Sequence, residues 1–284
     1  YDESLSRYTS WRVGGEARQL YRPADAVDLA LFIQQLPEDE PLLWLGLGSN
    51  LLVREGGFNG TVIVTAGVLQ NIELEQQGVI AEVGIYCSKL AKQAARAGLK
   101  GAAFLAGIPG TLGGALAMNA GAHGSETWDF VTEVTTIDGL GRLQQRPLSD
   151  FKVSYRHVEL PKGEWFVAAR MAFEQGDAKA ESDLIRELLK KRNASQPTNQ
   201  PCAGSVFRNP PGDFAGRLIE ASNLKGLRVG GASVSAKHAN FIVNDGDASA
   251  ADIENLIALV QLKVEQMQGV KLVPEVHIIG EALS

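Results

Sequence analysis

Two turns built almost entirely from glycine and small residues carry the strongest chemical character in this 284-residue chain. The longer runs from Gly107 to Gly124, GIPGTLGGALAMNAGAHG, with six glycines, one proline and His123 as its one titratable side chain. Ordering glycine costs conformational entropy, so glycine this dense marks backbone that must pass close to something. Side chains are cleared away and N–H groups are left to face an anion. Thr111 stands where it would cap a short helix starting at Leu112, and a helix N-terminus is a ready phosphate site. The shorter turn, Gly46-Leu47-Gly48-Ser49-Asn50, has the same character. Two such turns point to a ligand with a pyrophosphate, such as a dinucleotide. GLGSN is not a Rossmann fingerprint, because the third glycine is absent and no helix opens directly after it. Alone it reads equally well as a turn that ends a strand.

Three polar positions stand out elsewhere. Arg156, in Lys152-Val153-Ser154-Tyr155-Arg156-His157, lies in an irregular aromatic stretch where a guanidinium can pair a carboxylate through two hydrogen bonds. The plainer reading is a surface charge. Ser205 follows Gly204 where a strand would begin, a place that can expose a hydroxyl or simply make a turn. No GxSxG elbow accompanies it and no histidine can be assigned as its base, so a Ser-His-Asp hydrolase is a weak reading. Glu275, in Leu272-Val273-Pro274-Glu275-Val276, is a lone acid in an apolar run. It must be paired, functional, or at an edge near Pro274, because burying an unpaired carboxylate is costly.

Composition narrows the class. The apolar fraction of 45% supports one large domain or two modest ones. The net charge of −6 argues against a general nucleic-acid or membrane-surface binder, which would show a basic excess. An anionic ligand must then be held by local nests and placed arginines. No apolar run approaches the length of a membrane span, and Tyr1-Asp2-Glu3 has no signal-peptide character. Cys87 and Cys202 form no CxxC, and the four histidines show no metal-ligand spacing. These features lead us to expect a reducing, cytoplasmic compartment and no metal.

The elements that must hold these residues alternate short strands with short helices up to about residue 175. A helix is expected over Ala24–Leu36, a strand over Leu42–Leu45 feeding the first glycine turn, and a β-branched run over Thr61–Thr65. Ile72–Gln76 with Val79–Val83, and Val131–Ile137 with Arg142–Arg146, read as hairpins. Between them, Ser88–Ala97 reads as a helix closed by Gly98. Phe166–Phe173 is one more strand, and Glu181–Ser195 a charged helix. Gln196–Pro201 is a linker. After it come a strand near Val206-Phe207, a helix over Phe214–Ser222, strands near Ser233-Val234 and Phe241–Val243, and a long helix. That helix opens on a capping box, Ser249 with Asp252, and its expected apolar face is Ile253, Leu256, Ile257, Val260, Val264 and Met267. A last strand is expected over Leu272–Ile279.

Taken together and in order, several segments resemble one family. They are Thr9-Ser10-Trp11-Arg12-Val13-Gly14-Gly15, Gly46–Leu52, Gly107-Ile108-Pro109-Gly110 with Gly113-Gly114, Asn119-Ala120-Gly121-Ala122, Ser154-Tyr155-Arg156, Gly204–Pro210, Lys237-His238-Ala239-Asn240-Phe241 and Pro274-Glu275-Val276. The family is UDP-N-acetylenolpyruvoylglucosamine reductase, a bacterial FAD enzyme of peptidoglycan synthesis. The resemblance implies an α+β fold: an FAD-binding module of the vanillyl-alcohol-oxidase (PCMH) type in two subdomains, plus a C-terminal α+β substrate domain. It places the flavin module at residues 1–176, a helix and linker at 177–201, and the substrate-binding domain at 202–284. It implies noncovalent FAD, NADPH as co-substrate and a nucleotide-sugar substrate, with no protein partner, nucleic acid or membrane.

The same resemblance assigns residues. Flavin contacts fall on Gly46, Leu47, Gly48, Ser49 and Asn50, and on Gly107, Ile108, Pro109, Gly110, Thr111, Gly113, Gly114, Asn119 and Gly121. Ser205 takes the part of proton donor, and Arg156 with Glu275 that of the pair stabilising the intermediate. Tyr155, Asn209, His123 and His238 become substrate contacts. His123 stands where members often have tyrosine. Only one short helix lies between Phe173 and Cys202, which matches the branch lacking a tyrosine-bearing insertion. Two other readings stay open at this point: a flavin oxidase of the same fold acting on a small alcohol, and a noncatalytic nucleotide-binding protein.

Overall fold

The computed structural model describes residues 1–283. The chain condenses into two compact units, each assembled from separate stretches. One takes Tyr21–Leu47 and Val62–Lys191; the other takes Tyr1–Leu20, Gly48–Thr61 and everything from Arg192 onward. Contacts therefore do not group along the expected linear boundaries, because Trp11, Val13 and Leu52 share a core with Val206, Phe207, Ile219 and Leu256. The division between units falls inside the GLGSN turn, between Leu47 and Gly48.

The first unit is organised on an antiparallel sheet of five strands, in the order Leu143–Pro147, Val131–Asp138, Glu164–Ala172, Gly78–Glu82, Ile72–Glu75. Both expected hairpins form. In one, Asp138 Oδ1 accepts the Leu140 and Arg142 N–H groups at 2.9 and 3.0 Å, which closes the Asp138-Gly139-Leu140-Gly141 turn. Helix Ala26–Ile33 is shorter than its pattern, because Asp25 caps it by accepting from Val27 and Asp28, both at 2.8 Å. Helix Cys87–Arg96 buries Leu90, Ala91 and Ala94 and ends before Gly98, whose φ of +72° suits glycine. Burial holds the Cys87 thiol up at about 12, so it is an inert apolar group.

In the second unit, helix Ala250–Gln268 forms with the expected capping box. Ser249 Oγ accepts from the Asp252 N–H, and Asp252 Oδ2 from the Ser249 N–H, both at 3.0 Å. Its buried face is Ile253, Leu256, Ile257, Val260 and Val264; Met267, in the last turn, is 58% exposed and not part of it. The sheet is Arg228–Val229, Ala232–Val234, Ile242–Asn244. Strand Leu51–Val53 pairs in parallel with His277–Ile279, which is all that forms of the strand expected over Leu272–Ile279. Nor is Val206-Phe207 a strand. One side of that segment is satisfied by Asn240: its main-chain oxygen takes the Val206 N–H at 2.9 Å, and its side-chain amide closes on both main-chain groups of Phe207 at 3.0 and 2.8 Å. The other side meets Pro274 in an isolated bridge, flanked by the Arg208 N–H on the Val273 oxygen at 2.9 Å and the Glu275 N–H on the Val206 oxygen at 2.7 Å.

No helix among the described residues is long and apolar enough to cross a membrane. Both cysteines are free thiols.

Candidate functional site

The two glycine stretches meet inside the first unit. Gly46 lies against Thr111: a Cβ at Gly46 would collide with the Thr111 hydroxyl. Thr111 does occupy the cap position of helix Leu112–Ala117, but its side chain makes no capping bond. Nor is the helix start an open rank of donors. The Leu112 and Gly113 N–H groups donate to Ile85 and Val83 at 2.9 Å each, so the segment is zipped onto the chain before helix Cys87–Arg96. What remains is Thr111 Oγ1 itself, buried and without a hydrogen-bond partner among the described residues. Gly114, one helical turn on, has no atom within 4 Å of where a Cβ would stand, whereas Gly113 packs on Val83. Gly107 and Gly121 are glycines for internal reasons. A Cβ on Gly107 would meet Ala122 and His123, and one on Gly121 the Ser125 carbonyl at 2.6 Å.

Arg156 sits in the two-residue turn between strands Lys152–Ser154 and His157–Glu159, at φ +56°. A non-glycine residue there stores strain, a frequent mark of a functional position. Its guanidinium donates to the main-chain oxygens of Asn119 at 3.1 Å and Gly121 at 3.4 Å, and its side chain is 18% exposed. The Ser154-Tyr155-Arg156 and Asn119-Ala120-Gly121 motifs are thus one structure. Tyr155 lays its ring 5.0 Å from the Arg156 guanidinium and borders a cleft of about 290 Å³ with Asn119, Glu126 and Ser154. The Asn119 side chain is committed inward: its amide donates to Glu126 at 2.8 Å and accepts from the Trp128 N–H at 3.1 Å. His123 is exposed, at φ +56°, in the turn joining Gly121–Ala122 to Ser125–Glu126. Glu126 was missed from sequence. The available signal was its place as the one acid in the Ser125-Glu126-Thr127 segment directly after the glycine stretch.

In the second unit, Gly48 and Ser10 are tied together: the Gly48 oxygen accepts from the Ser10 N–H and hydroxyl at 3.2 and 3.3 Å. The Ser49 oxygen accepts from the Gly204 N–H at 3.2 Å, and the Asn50 amide donates to the Glu275 oxygen at 3.1 Å. Glu275 in turn donates its N–H to the Val206 oxygen at 2.7 Å. Ser205 and Glu275, 70 positions apart in sequence, therefore sit on adjoining segments pinned through the glycine turn. The Ser205 hydroxyl is half-buried and makes no hydrogen bond among the described residues. Asn209 is exposed, and its side-chain oxygen accepts the Ala215 N–H at 3.1 Å, at the start of helix Ala215–Ala221. His238 Nδ1 accepts the Asn240 N–H at 3.2 Å while its ring stands edge-on to Phe241. Burial, with help from Lys225, holds its pKa below the usual 6.5, so the ring is neutral with its proton on Nε2. The Thr9–Gly15 motif is structural. Trp11 is fully buried, its indole N–H donating to the Ile242 oxygen at 2.8 Å.

Known proteins resemble this chain over nearly its whole length. It is 59% identical to the UDP-N-acetylenolpyruvoylglucosamine reductase of Alkalilimnicola ehrlichii over 99% of this chain and 95% of that one. It is 58% identical to the protein of that name from Nitrosococcus oceani, over 98% and 93%. This chain belongs to the UDP-N-acetylenolpyruvoylglucosamine reductase family. Residues 196–279 match that family's C-terminal domain and residues 17–145 an FAD-binding domain. The crystal structure of the Thermus caldophilus reductase superposes with a TM-score of 0.84 at 34% identity, covering 97% of each chain. The fold is accordingly α+β, an FAD-binding module of the PCMH type with a C-terminal α+β domain.

The residues of the first unit suit an FAD. A buried hydroxyl on Thr111 without a hydrogen-bond partner among the described residues is a donor waiting for an acceptor, and Gly114, one helical turn on, has open space where a Cβ would stand.

Proposed function

We propose that this protein is an NADPH-dependent flavoenzyme that reduces the enolpyruvyl ether of UDP-N-acetylglucosamine enolpyruvate to UDP-N-acetylmuramate, for peptidoglycan precursor synthesis. The observation that carries the reading is the partnerless Thr111 hydroxyl where two glycine stretches converge, in a chain whose relatives bear the reductase name. Thr111, Gly46 and Gly114 would hold the noncovalent FAD, with Leu47, Gly48, Ser49, Asn50, Gly107, Ile108, Pro109, Gly110, Gly113, Asn119 and Gly121 shaping the turns around it. In functional terms, residues 1–176 serve the flavin, 177–201 connect, and 202–284 serve the substrate. The protein works in the cytoplasm, with the nucleotide sugar and NADPH as its small-molecule partners.

FAD held there would supply the hydride chemistry that links NADPH to the enolpyruvyl double bond. Negative charge then develops next to the substrate carboxylate as an enediolate. Arg156, oriented in advance by two main-chain oxygens, stabilises that charge. Glu275 is its companion and must be protonated or paired with a cation to help. Ser205, whose hydroxyl makes no hydrogen bond among the described residues, gives its proton to the adjacent carbon. Tyr155, Asn209, His123 and His238 contact the substrate; His238 offers an Nε2–H donor because its Nδ1 is occupied.

The test is optical. Purified protein should be yellow, release FAD rather than FMN on heating, bleach with NADPH, and recover its colour when the enolpyruvyl nucleotide is added. Protein that stays colourless after incubation with FAD, or reduced protein that the nucleotide fails to reoxidise, would overturn the proposal.

A further inference from the structure

Arg156 is held by two main-chain oxygens, and a single carboxylate stands behind both. Glu126 Oε1 lies 3.7 Å from the Arg156 guanidinium. Its Oε2 accepts the Asn119 amide at 2.8 Å, and Asn119 provides the nearer of the two oxygens that Arg156 uses. Glu126 is also the strand partner of Gly121, which provides the other. The backbone of Glu126 is fixed in turn, its N–H donating to Asp129 Oδ2 at 2.8 Å in a capping box over Thr127–Asp129. One residue thus reaches the guanidinium by three routes, once directly and twice through the groups that hold it.

The chemistry makes this more than scaffolding. Main-chain oxygens orient a guanidinium but carry no net charge. A carboxylate beside an arginine that is 18% exposed offsets the cost of burying its charge. At 3.7 Å the Glu126 carboxylate is close enough to fix direction and too far to bind both nitrogens in a fork. Resting on the reading that Arg156 stabilises the reaction's developing charge, we infer that Glu126 is the positioning residue that sets the aim of Arg156, and that it acts through Arg156 alone.

The test is a double-mutant cycle on the flavin-loaded enzyme, read by stopped-flow absorbance. Glu126→Gln keeps shape and removes charge, placing either a neutral oxygen or a second donor before the guanidinium. Reoxidation by the enolpyruvyl nucleotide should slow by roughly 10- to 100-fold, the scale of a misaimed catalytic group. Reduction by NADPH in the same sample should stay within about twofold. Glu126→Gln added to Arg156→Ala should slow reoxidation no further than Arg156→Ala alone, since groups acting as one unit do not add. If Glu126→Gln does not assemble with flavin, Glu126→Asp, which keeps the charge and loses the reach, takes its place in the cycle. Normal reoxidation in Arg156→Ala would sink the role given to Arg156 and this inference with it. Slow Arg156→Ala with normal Glu126→Gln, or additive losses in the double variant, would overturn this inference while leaving Arg156 in place.

Discussion

Replacing Thr111 with valine should move stability and flavin affinity in opposite directions. The hydroxyl is buried with no hydrogen-bond partner, and leaving such a group unsatisfied costs about 1–3 kcal/mol. Valine has nearly the same shape and lacks the polar atom. A threonine at a helix cap normally contributes about 0.5–2 kcal/mol through its side chain. That loss does not apply here, because Thr111 makes no capping bond. The flavin-free protein should therefore be stabilised by about 1–3 kcal/mol, with a rise of roughly 2–4 °C in Tm per kcal/mol. The bond that FAD would have completed is lost, so FAD should bind about 5- to 150-fold more weakly, at 1.4 kcal/mol per tenfold. Thr111→Ser keeps the donor and should bind FAD near the wild-type affinity. Scanning fluorimetry of the flavin-stripped protein gives the first number, and titration by flavin fluorescence quenching the second. A Thr111→Val protein with unchanged FAD affinity would refute the assignment of this hydroxyl to the flavin. A lower Tm without flavin would show that the hydroxyl has a protein partner after all.

Further expectations follow from the same geometry. Gly46→Ala, which drives a methyl group into the Thr111 hydroxyl, should lower both Tm without flavin and flavin occupancy, the latter read as the ratio of visible to ultraviolet absorbance. Ser205→Ala should bind FAD and be reduced by NADPH normally, while turnover falls by roughly 10²–10⁴; Ser205→Cys should retain more, and an alanine variant with normal reoxidation would place the proton source elsewhere. Arg156→Gly and Arg156→Ala should be equally impaired in reoxidation. Relief of the left-handed backbone, about 1–2 kcal/mol, outweighs the added freedom of the unfolded glycine chain, about 0.4–1 kcal/mol. The glycine variant should thus melt higher, and calorimetry finding the alanine variant the more stable would count against strain at this turn. His238 has its pKa held below 6.5, so as pH falls beneath that value the unfolded chain takes up a proton that the folded chain resists. That contribution to stability is lost toward acid, and His238→Asn, which keeps an acceptor for the Asn240 N–H, should flatten the fall in Tm between pH 7 and 5.

The sequence by itself determined the local pieces. The hairpins at Gln77-Gly78 and at Asp138–Gly141, the Ser249–Asp252 capping box and the Gly98 stop all formed where residue type and spacing put them, because each depends on neighbours in the chain. The motifs were legible too, as a set. Their internal logic was not. Glycine density implied free N–H groups at the start of helix Leu112–Ala117, yet these are spent on Ile85 and Val83, and the unsatisfied group is a hydroxyl. Gly46, Gly107 and Gly121 looked like Gly114 in sequence, but Gly107 and Gly121 make room for a hairpin of the chain and Gly46 for the Thr111 side chain, whereas Gly114 faces open space. The strands expected at Val206-Phe207 and over Leu272–Ile279 gave way to one isolated bridge, Phe207 with Pro274, while the Asn240 side chain took the place of a strand on the other side of Phe207. Glu126 became visible only when Asn119, Gly121 and Arg156 were brought around it. Period and capping are set within a few residues, whereas whether a buried polar atom has a partner depends on chain tens of positions away, and only tertiary contact decides it.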